Sequence, residues 1–442
     1  VTELKGGGAA RGEQEGGGAE QEGGGAARAE RVLVRAPRRT ITALLVTELL
    51  LTFALATPLI ATLSLKANEI DPAAKESLLG VVTAVGALAA FLLNPVFGHL
   101  SDRTRGRYGR RRPWIMAGLA GGVPAAVVMA TATGTAQLLI GWLLAQASYN
   151  AALAALSAVI ADRVPPEQQA TVSGLFGAAG FAGVTPGLVL VGLLPGNVAA
   201  LFLIPAVAGA LGGLLAWRML RDDTVVPEAA PVNPRSVLSS MVFDPRLSPS
   251  FTVVWAQRFL LQFANALIGT FGLFYLMTRL EMSTAAAAAL VSATGLLSLV
   301  LNVVAAGVSG RLASRTQAYR AFIVVAGLLL TCSMLVKMVA DTVWPIYLAT
   351  GLAGIGLGVF YAVDLALVIR VMPSSADSAR YLGVFNIAKA LPQSIAPAVA
   401  PLLLAVGSDP VAPAADKNYF LLFCGGAVAA LIATALTPLI RK

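Results

Sequence analysis

The chain has 442 residues, 57% of them hydrophobic and only 12% charged, with a formal net charge of +9 and a mean hydropathy of +0.77. That is more apolar surface than a water-soluble domain of this length can bury, so lipid must cover the rest and an integral membrane protein is expected. In a soluble protein the positive charge would point to nucleic acid; here it sits beside apolar runs, where anionic headgroups and the rules of membrane insertion account for it, and no nucleic-acid partner is expected.

Residues 1–39 carry GGGA repeats, six glutamates and no apolar periodicity, so they cannot bury enough surface to order themselves and read as a disordered tail. The tail lacks the short apolar core and cleavage site of a signal peptide. Twelve apolar runs follow, each long enough to cross roughly 30 Å of hydrocarbon at about 1.5 Å per residue. They cover approximately 40–65, 75–98, 113–133, 135–161, 170–194, 197–220, 250–278, 283–310, 320–340, 343–371, 379–405 and 418–440. The expected fold is all-α, with two pseudo-symmetric six-helix bundles over 40–220 and 250–442. The Pro- and Asp-rich segment 221–249 reads as a linker between them.

Between the second and third runs lies Gly98 to Arg112, GHLSDRTRGRYGRRR, with six arginines. So much positive charge is tolerated only on the cytoplasmic side, which fixes the orientation of the neighbouring spans. Alternating the loops then puts 22 of the Lys and Arg residues from Arg31 onward inside and four, Lys66, Lys75, Arg279 and Lys417, outside, with both termini cytoplasmic. Arginine outnumbers lysine 25 to 7 and Ala and Gly are abundant, a composition typical of GC-rich bacteria, so a multi-pass protein of a bacterial plasma membrane is expected. Cys332 and Cys424 lie in apolar runs and form no spaced pair, so neither a disulfide framework nor a zinc site is expected.

The two halves repeat each other. Thr47-Glu48-Leu49 through Phe53-Ala54 aligns with Gln257-Arg258-Phe259 through Phe263-Ala264 at an offset of 210, while Gly98 to Ser101 aligns with Gly307 to Gly310, and Ala170 to Phe176 with Ala379 to Phe385, both at 209. Duplication of this kind is the basis of rocking, alternating-access carriers.

On Gly98, Ser101, Asp102, Arg103, Gly109, Arg110, Arg111, Arg112 and Pro113, with a degenerate copy at Gly307 to Arg320, the chain resembles the major facilitator superfamily over nearly all of residues 40–442. SDRTRGRYGRRRPWI, with Tyr381 to Asn386 and Leu391-Pro392-Gln393, also resembles the sucrose-proton symporters and the glycoside-pentoside-hexuronide cation symporters. The superfamily resemblance implies that Gly98, Asp102, Arg103, Arg110, Arg111 and Arg112 form a cytoplasmic gate. A carboxylate at the end of span two would pair with a guanidinium or helix terminus of the other half, a contact that breaks on opening. The competing reading is a topology determinant with no moving part. The chain departs from the sugar symporters in lacking an acid in mid span four, where it offers Gln146, Tyr149, Asn150 and Ser157, and span two has no acid below Glu76, which speaks against sodium coupling.

An ionisable side chain at membrane depth costs at least about 2.5–3.5 kcal/mol, so each needs a partner or a task. Glu48 in span one, Arg258 in span seven, Asp364 in span ten and Lys389 in span eleven all fall roughly 11–15 Å from the cytoplasmic boundary. Sharing a level, they are expected to form a central cluster in which Glu48 or Asp364 takes up a proton and releases a paired base; a static ion-pair network is the alternative. Lys337, near the outer end of span nine, is expected to snorkel to the interface, and His99 to be solvated in the gate loop.

Candidate substrate contacts are Tyr149, Asn150, Gln257, Gln262, Asn265, Tyr361, Asn386 and Gln393, because a hydroxyl-rich ligand needs amides and aromatic faces. Asn and Gln also join helices in lipid, so each could serve packing alone. No phosphate-cradling GxxxxGK[ST] loop, GxSxG elbow or second histidine is present, which argues against ATP drive and covalent catalysis. The expected protein is a monomeric secondary transporter without metal or cofactor, taking a sugar or glycoside with a proton. A drug or natural-product exporter and a non-transporting membrane sensor are the rivals.

Overall fold

The computed structural model describes residues 36–220, 249–371 and 378–440, so nearly all of the tail expected over 1–39 and of the linker expected over 221–249 lies outside the described residues. Among the described residues every regular element is helical, and twelve helices are long and apolar enough to cross a membrane. The first six are α1 (Arg38–Ile70), α2 (Lys75–Arg103), α3 (Arg112–Ala130), α4 (Thr135–Arg163), α5 (Pro166–Leu193) and α6 (Val198–Met219). The second six are α7 (Pro249–Arg279), α8 (Thr284–Thr316), α9 (Tyr319–Val339), α10 (Val343–Val371), α11 (Ser378–Leu404) and α12 (Tyr419–Leu436).

Helices are the form these runs must take, because lipid offers no hydrogen bonds to a backbone and an α-helix satisfies its own. Where proline breaks that pattern in α1, the chain inserts a π-turn over Pro58–Thr62. Threonines brace the turn at both ends: the Thr57 hydroxyl donates to the Phe53 carbonyl at 2.7 Å and Thr62 to the Thr57 carbonyl at 3.3 Å. The helix α2 runs to Arg103, past the expected span end, so Gly98, His99, Asp102 and Arg103 ride on its last turns rather than in a loop.

Packing follows the duplication. In the first half α3 packs on α4 and α6, α1 on α5 and α6, and α2 on α4; adding six to every label gives the pairs of the second half, α9 on α10 and α12, α7 on α11 and α12, and α8 on α10. Two seams join the halves, α2 with α11 and α5 with α8, and these are also exchanged by the same symmetry.

The seams close at one end only. At the end opposite the arginine-rich loop, a Cβ added to Gly80 of α2 would stand 2.6 Å from the Pro397 carbonyl oxygen, and one on Gly192 of α5 would stand 2.8 Å from Ser292 Oγ. The Ser292 hydroxyl donates to the Leu188 carbonyl, Tyr419 OH lies 3.5 Å from Glu76 Oε1, and Lys75 Nζ sits 5.2 Å over the Phe274 ring. At the arginine-rich end, a Cβ on Gly98, Gly174, Gly177 or Gly307 would meet nothing within 4 Å. The halves are parted there.

Candidate solute cavity and charged network

Between the seams lies a cavity of about 530 Å³, walled by α1, α2 and α4 from the first half and by α7 and α11 from the second. Its polar groups are amides and hydroxyls: Asn94, Gln146, Asn150 and Thr83 on one side, Thr270, Asn386 and Gln393 on the other. The first three are bonded together. Asn94 Nδ2 donates to Asn150 Oδ1 at 3.3 Å, and Asn150 Nδ2 donates to the Gln146 carbonyl at 2.9 Å and to Gln146 Oε1 at 3.1 Å. Leu55, Leu59 and Phe91 supply apolar wall.

Three of the expected substrate contacts, Asn150, Asn386 and Gln393, line this cavity, and Asn94 and Gln146 join them. Asn94 had one legible signal: it is the sole amide of an otherwise apolar span, immediately before Pro95. Other candidates sit elsewhere. Gln257 is buried inside its own half, where Nε2 donates to Thr437 Oγ1 at 2.6 Å and to the Ala433 carbonyl at 3.1 Å, so it ties α7 to the end of α12 rather than facing a solute. Tyr149 is 2% exposed and wedged against α3, where a Cβ on Gly122 would stand 2.4 Å from its hydroxyl. Gln262 is buried and accepts from Tyr361 OH at 3.2 Å. The Tyr361 ring lies 6.5 Å from Phe181 of α5 across the seam, while Asn265 is half-buried and outside the lining of the cavity.

The four intramembrane charges do not meet as one cluster. Arg258 Nη1 is paired with Asp364 Oδ2, and its guanidinium lies 3.9 Å over the Phe385 ring. Lys389, one turn beyond Phe385 on α11, is exposed and close enough for its charge to act on Asp364. Glu48 stands apart, 7% exposed, with Oε1 3.4 Å from Thr52 Oγ1 and facing Gly180 of α5. Among the described residues its Oε2 has no hydrogen-bond partner. The expectation failed on azimuth, not depth: all four share a level, but Glu48 points into the α1/α5 contact.

Among the described residues the arginine-rich segment is bonded to the first half. Arg111 pairs with Asp102 at 2.5 Å and Asp162 at 2.8 Å, Arg110 pairs with Asp162 at 2.7 Å, and Arg111 Nη1 donates to Ser101 Oγ at 2.5 Å. Burial disfavours the Arg111 charge, but the hydrogen bond and charge of Asp162 and the charge of Asp102 outweigh it, holding the guanidinium pKa above its ordinary value. Arg112 lies 4.6 Å over the Trp217 ring and donates to the Trp217 carbonyl, whereas Arg103 is exposed. Gly109 sits in the left-handed region at φ 81° and donates to the Gly106 carbonyl at 3.0 Å, closing the turn that aims these arginines. The guanidinium expected for Asp102 from the other half is therefore replaced by Arg111 of its own half, which Asp162 at the end of α4 also holds, as the parted helices at this end require. Asp162 was hidden in the sequence as one more residue at a span end.

Lys337 also departs from expectation. It is 7% exposed and lines a second cavity, of about 380 Å³, between α5, α7, α8 and α10.

The sequence of residues 40–397 matches the family model of the Major Facilitator Superfamily, and the chain belongs to that family. It has the fold of a multi-pass membrane transporter. Among solved structures it is similar to a bacterial homolog of the human lysosomal transporter Spinster in an inward-facing, unoccupied conformation (14% identity, TM-score 0.69, 91% of this chain and 97% of that one). It is also similar to the nucleoside transporter NupG (14% identity, TM-score 0.72, 91% and 100%). The human organic anion transporter MFSD10 (TETRAN) is a third (19% identity, TM-score 0.61, 90% and 99%). A search of curated protein sequences returns no match.

Proposed function

We propose that this transporter is a proton-coupled symporter of a neutral, hydroxyl-rich solute, a sugar or glycoside, working by alternating access. The observation that carries the reading is the amide lining of the cavity: Asn94, Gln146, Asn150, Asn386 and Gln393 come from both halves. Each amide offers donor and acceptor together, which is what a hydroxyl group requires, and no lining residue of this cavity is charged. A solute bridging Asn150 and Asn386 would draw the halves together at the open end.

The charge excess of the sequence makes the arginine-rich end cytoplasmic, so the arrangement described is open inward. Glu48 is the proton carrier: among the described residues no cation stands against it, and a proton is a counter-charge small enough to reach the α1/α5 contact. Asp364, held by Arg258, neutralises that guanidinium beside the exposed Lys389.

Binding of mono- and disaccharides and glycosides to the purified protein, with hydrophobic drugs as controls, tests the substrate class. Asn150→Ala and Asn386→Ala should each weaken sugar binding roughly tenfold, the value of about one hydrogen bond to a well-placed donor. Drug binding that is tighter than any sugar, and indifferent to both substitutions, would overturn the reading in favour of an exporter using Leu55, Leu59 and Phe91.

A further inference from the structure

The second cavity is chemically unlike the first. Its walls carry one ammonium, Lys337, and no acid. Among the described residues Lys337 Nζ has neither a hydrogen bond nor an ion pair. Ordinary membrane lysines reach the interface or pair with a carboxylate. This one does neither, and its own backbone carbonyl holds the neighbouring wall by accepting from Tyr275 OH at 2.9 Å.

The facing wall supplies donors. Thr294, Ser298 and Asn302 fall at every fourth residue of α8 and so form one stripe along the chamber, with Thr350 of α10 beside them. Thr294 spends its proton on the Leu290 carbonyl at 2.7 Å, but Ser298, Asn302 and Thr350 make no side-chain bond within the described residues. A buried ammonium that faces a chamber with free hydroxyl and amide groups along its wall, Thr350 nearest its level, and no carboxylate in the lining lacks one thing: an anion.

We infer that the Lys337 chamber is a binding site for a small monovalent anion, either an inorganic halide or the carboxylate of a small organic acid. The site is placed to matter for transport. Consecutive residues divide the two cavities, Leu59 and Thr270 lining the solute cavity, Ile60 and Gly269 the anion chamber, and the π-turn of α1 lies at that partition. Gly269 and Gly272 leave open space where a Cβ would stand, so the α7 backbone borders the chamber directly. Its wall residue Leu188 accepts the Ser292 hydroxyl that fastens the α5/α8 seam, so an occupied chamber braces the closed end.

The test is thermal unfolding of the purified full-length protein, followed by intrinsic fluorescence, in sulfate buffer titrated at constant ionic strength with sodium chloride in one arm and sodium acetate in the other. A saturable rise in Tm with chloride alone identifies a halide site, and one with acetate identifies a carboxylate site; either supports the inference. Lys337→Met should abolish the rise yet melt no lower than the unsubstituted protein in sulfate alone, because an unpaired buried charge has been removed. Thr350→Val should raise the half-saturating concentration roughly tenfold. A wild-type Tm that rises with neither anion in a saturable way, or a saturable rise equally large in Lys337→Met, would overturn it. The readout needs no transported solute, so it stands or falls separately from the sugar assignment.

Discussion

Gly80 is where the alternating-access reading can be pressed hardest. Its Cα faces α11 so closely that a methyl group added there would lie 2.6 Å from the Pro397 carbonyl oxygen and 2.8 Å from Pro401 Cγ. Ordinary contact begins near 3.4 Å, and neither neighbour is the free end of a flexible side chain, so Gly80→Ala must push α2 and α11 apart by several tenths of an ångström. Overpacking of this kind costs roughly 1–3 kcal/mol. The cost falls only on the arrangement in which this end is closed, whereas the gain in helix propensity, about 1 kcal/mol for Gly to Ala, is common to both arrangements and cancels. The equilibrium should therefore shift toward opening at this end by about 5- to 150-fold. A cysteine at Thr83, which is buried on the cavity wall one turn along α2, would report it in a Cys332→Ser, Cys424→Ser background. The expected result is faster labelling by a membrane-impermeant maleimide applied from the side opposite the arginine-rich loop, with Tm changed little. Unchanged labelling together with an unchanged Tm would mean that α2 and α11 do not separate during the cycle, and the reasoning would fail.

Gly98→Ala should act in the opposite sense, leaving the present arrangement untouched, since nothing lies within 4 Å of the added Cβ, and slowing the same labelling by crowding the closure at the arginine-rich end; acceleration would refute the role given to that end. Asp364→Asn or Arg258→Met alone should lower unfolding stability by about 3–5 kcal/mol by leaving its buried partner unpaired; the double substitution should recover most of the loss, and additive losses would show that the pair is not the unit of stability. Glu48→Gln should keep sugar binding and solute exchange in proteoliposomes while abolishing uphill uptake under a proton gradient; retained uphill uptake would remove Glu48 from the coupling step. Asp162→Asn releases the carboxylate shared by Arg110 and Arg111, and should raise proteolytic cleavage of the segment between α2 and α3; cleavage equal to wild type would show that Asp102 and Ser101 alone hold Arg111.

What the sequence disclosed was depth and repetition; what it withheld was direction around each helix. A water-soluble helix shows its buried face by period, but these spans are apolar nearly all round, so no stripe distinguishes a side facing the cavity from one facing a neighbour or lipid. Gln257 and Asn386 looked alike for that reason, although one is spent on Thr437 and Ala433 and the other lines the cavity. Lys337 was misplaced in the same way: proximity to the end of α9 suggested the interface, while its direction put it inside.

The duplication itself explains why the charges separate. Glu48 and Arg258 are equivalent positions, and at the offset of 209 that relates α5 to α11, Lys389 corresponds to Gly180. At the offsets of 209 and 210, Asp364 corresponds to Ala155 and Ala154 of α4, both buried. Each residue that surrounds Arg258 with charge in the second half is thus replaced by a small or apolar one around Glu48, so the same packing of α1 on α5 and α7 on α11 yields a partnered base in one half and an unpartnered acid in the other. A carrier built from two equal halves needs some such inequality to respond to a proton. A group already neutralised at contact range gains less from binding one than a group whose only available counter-ion is the proton itself.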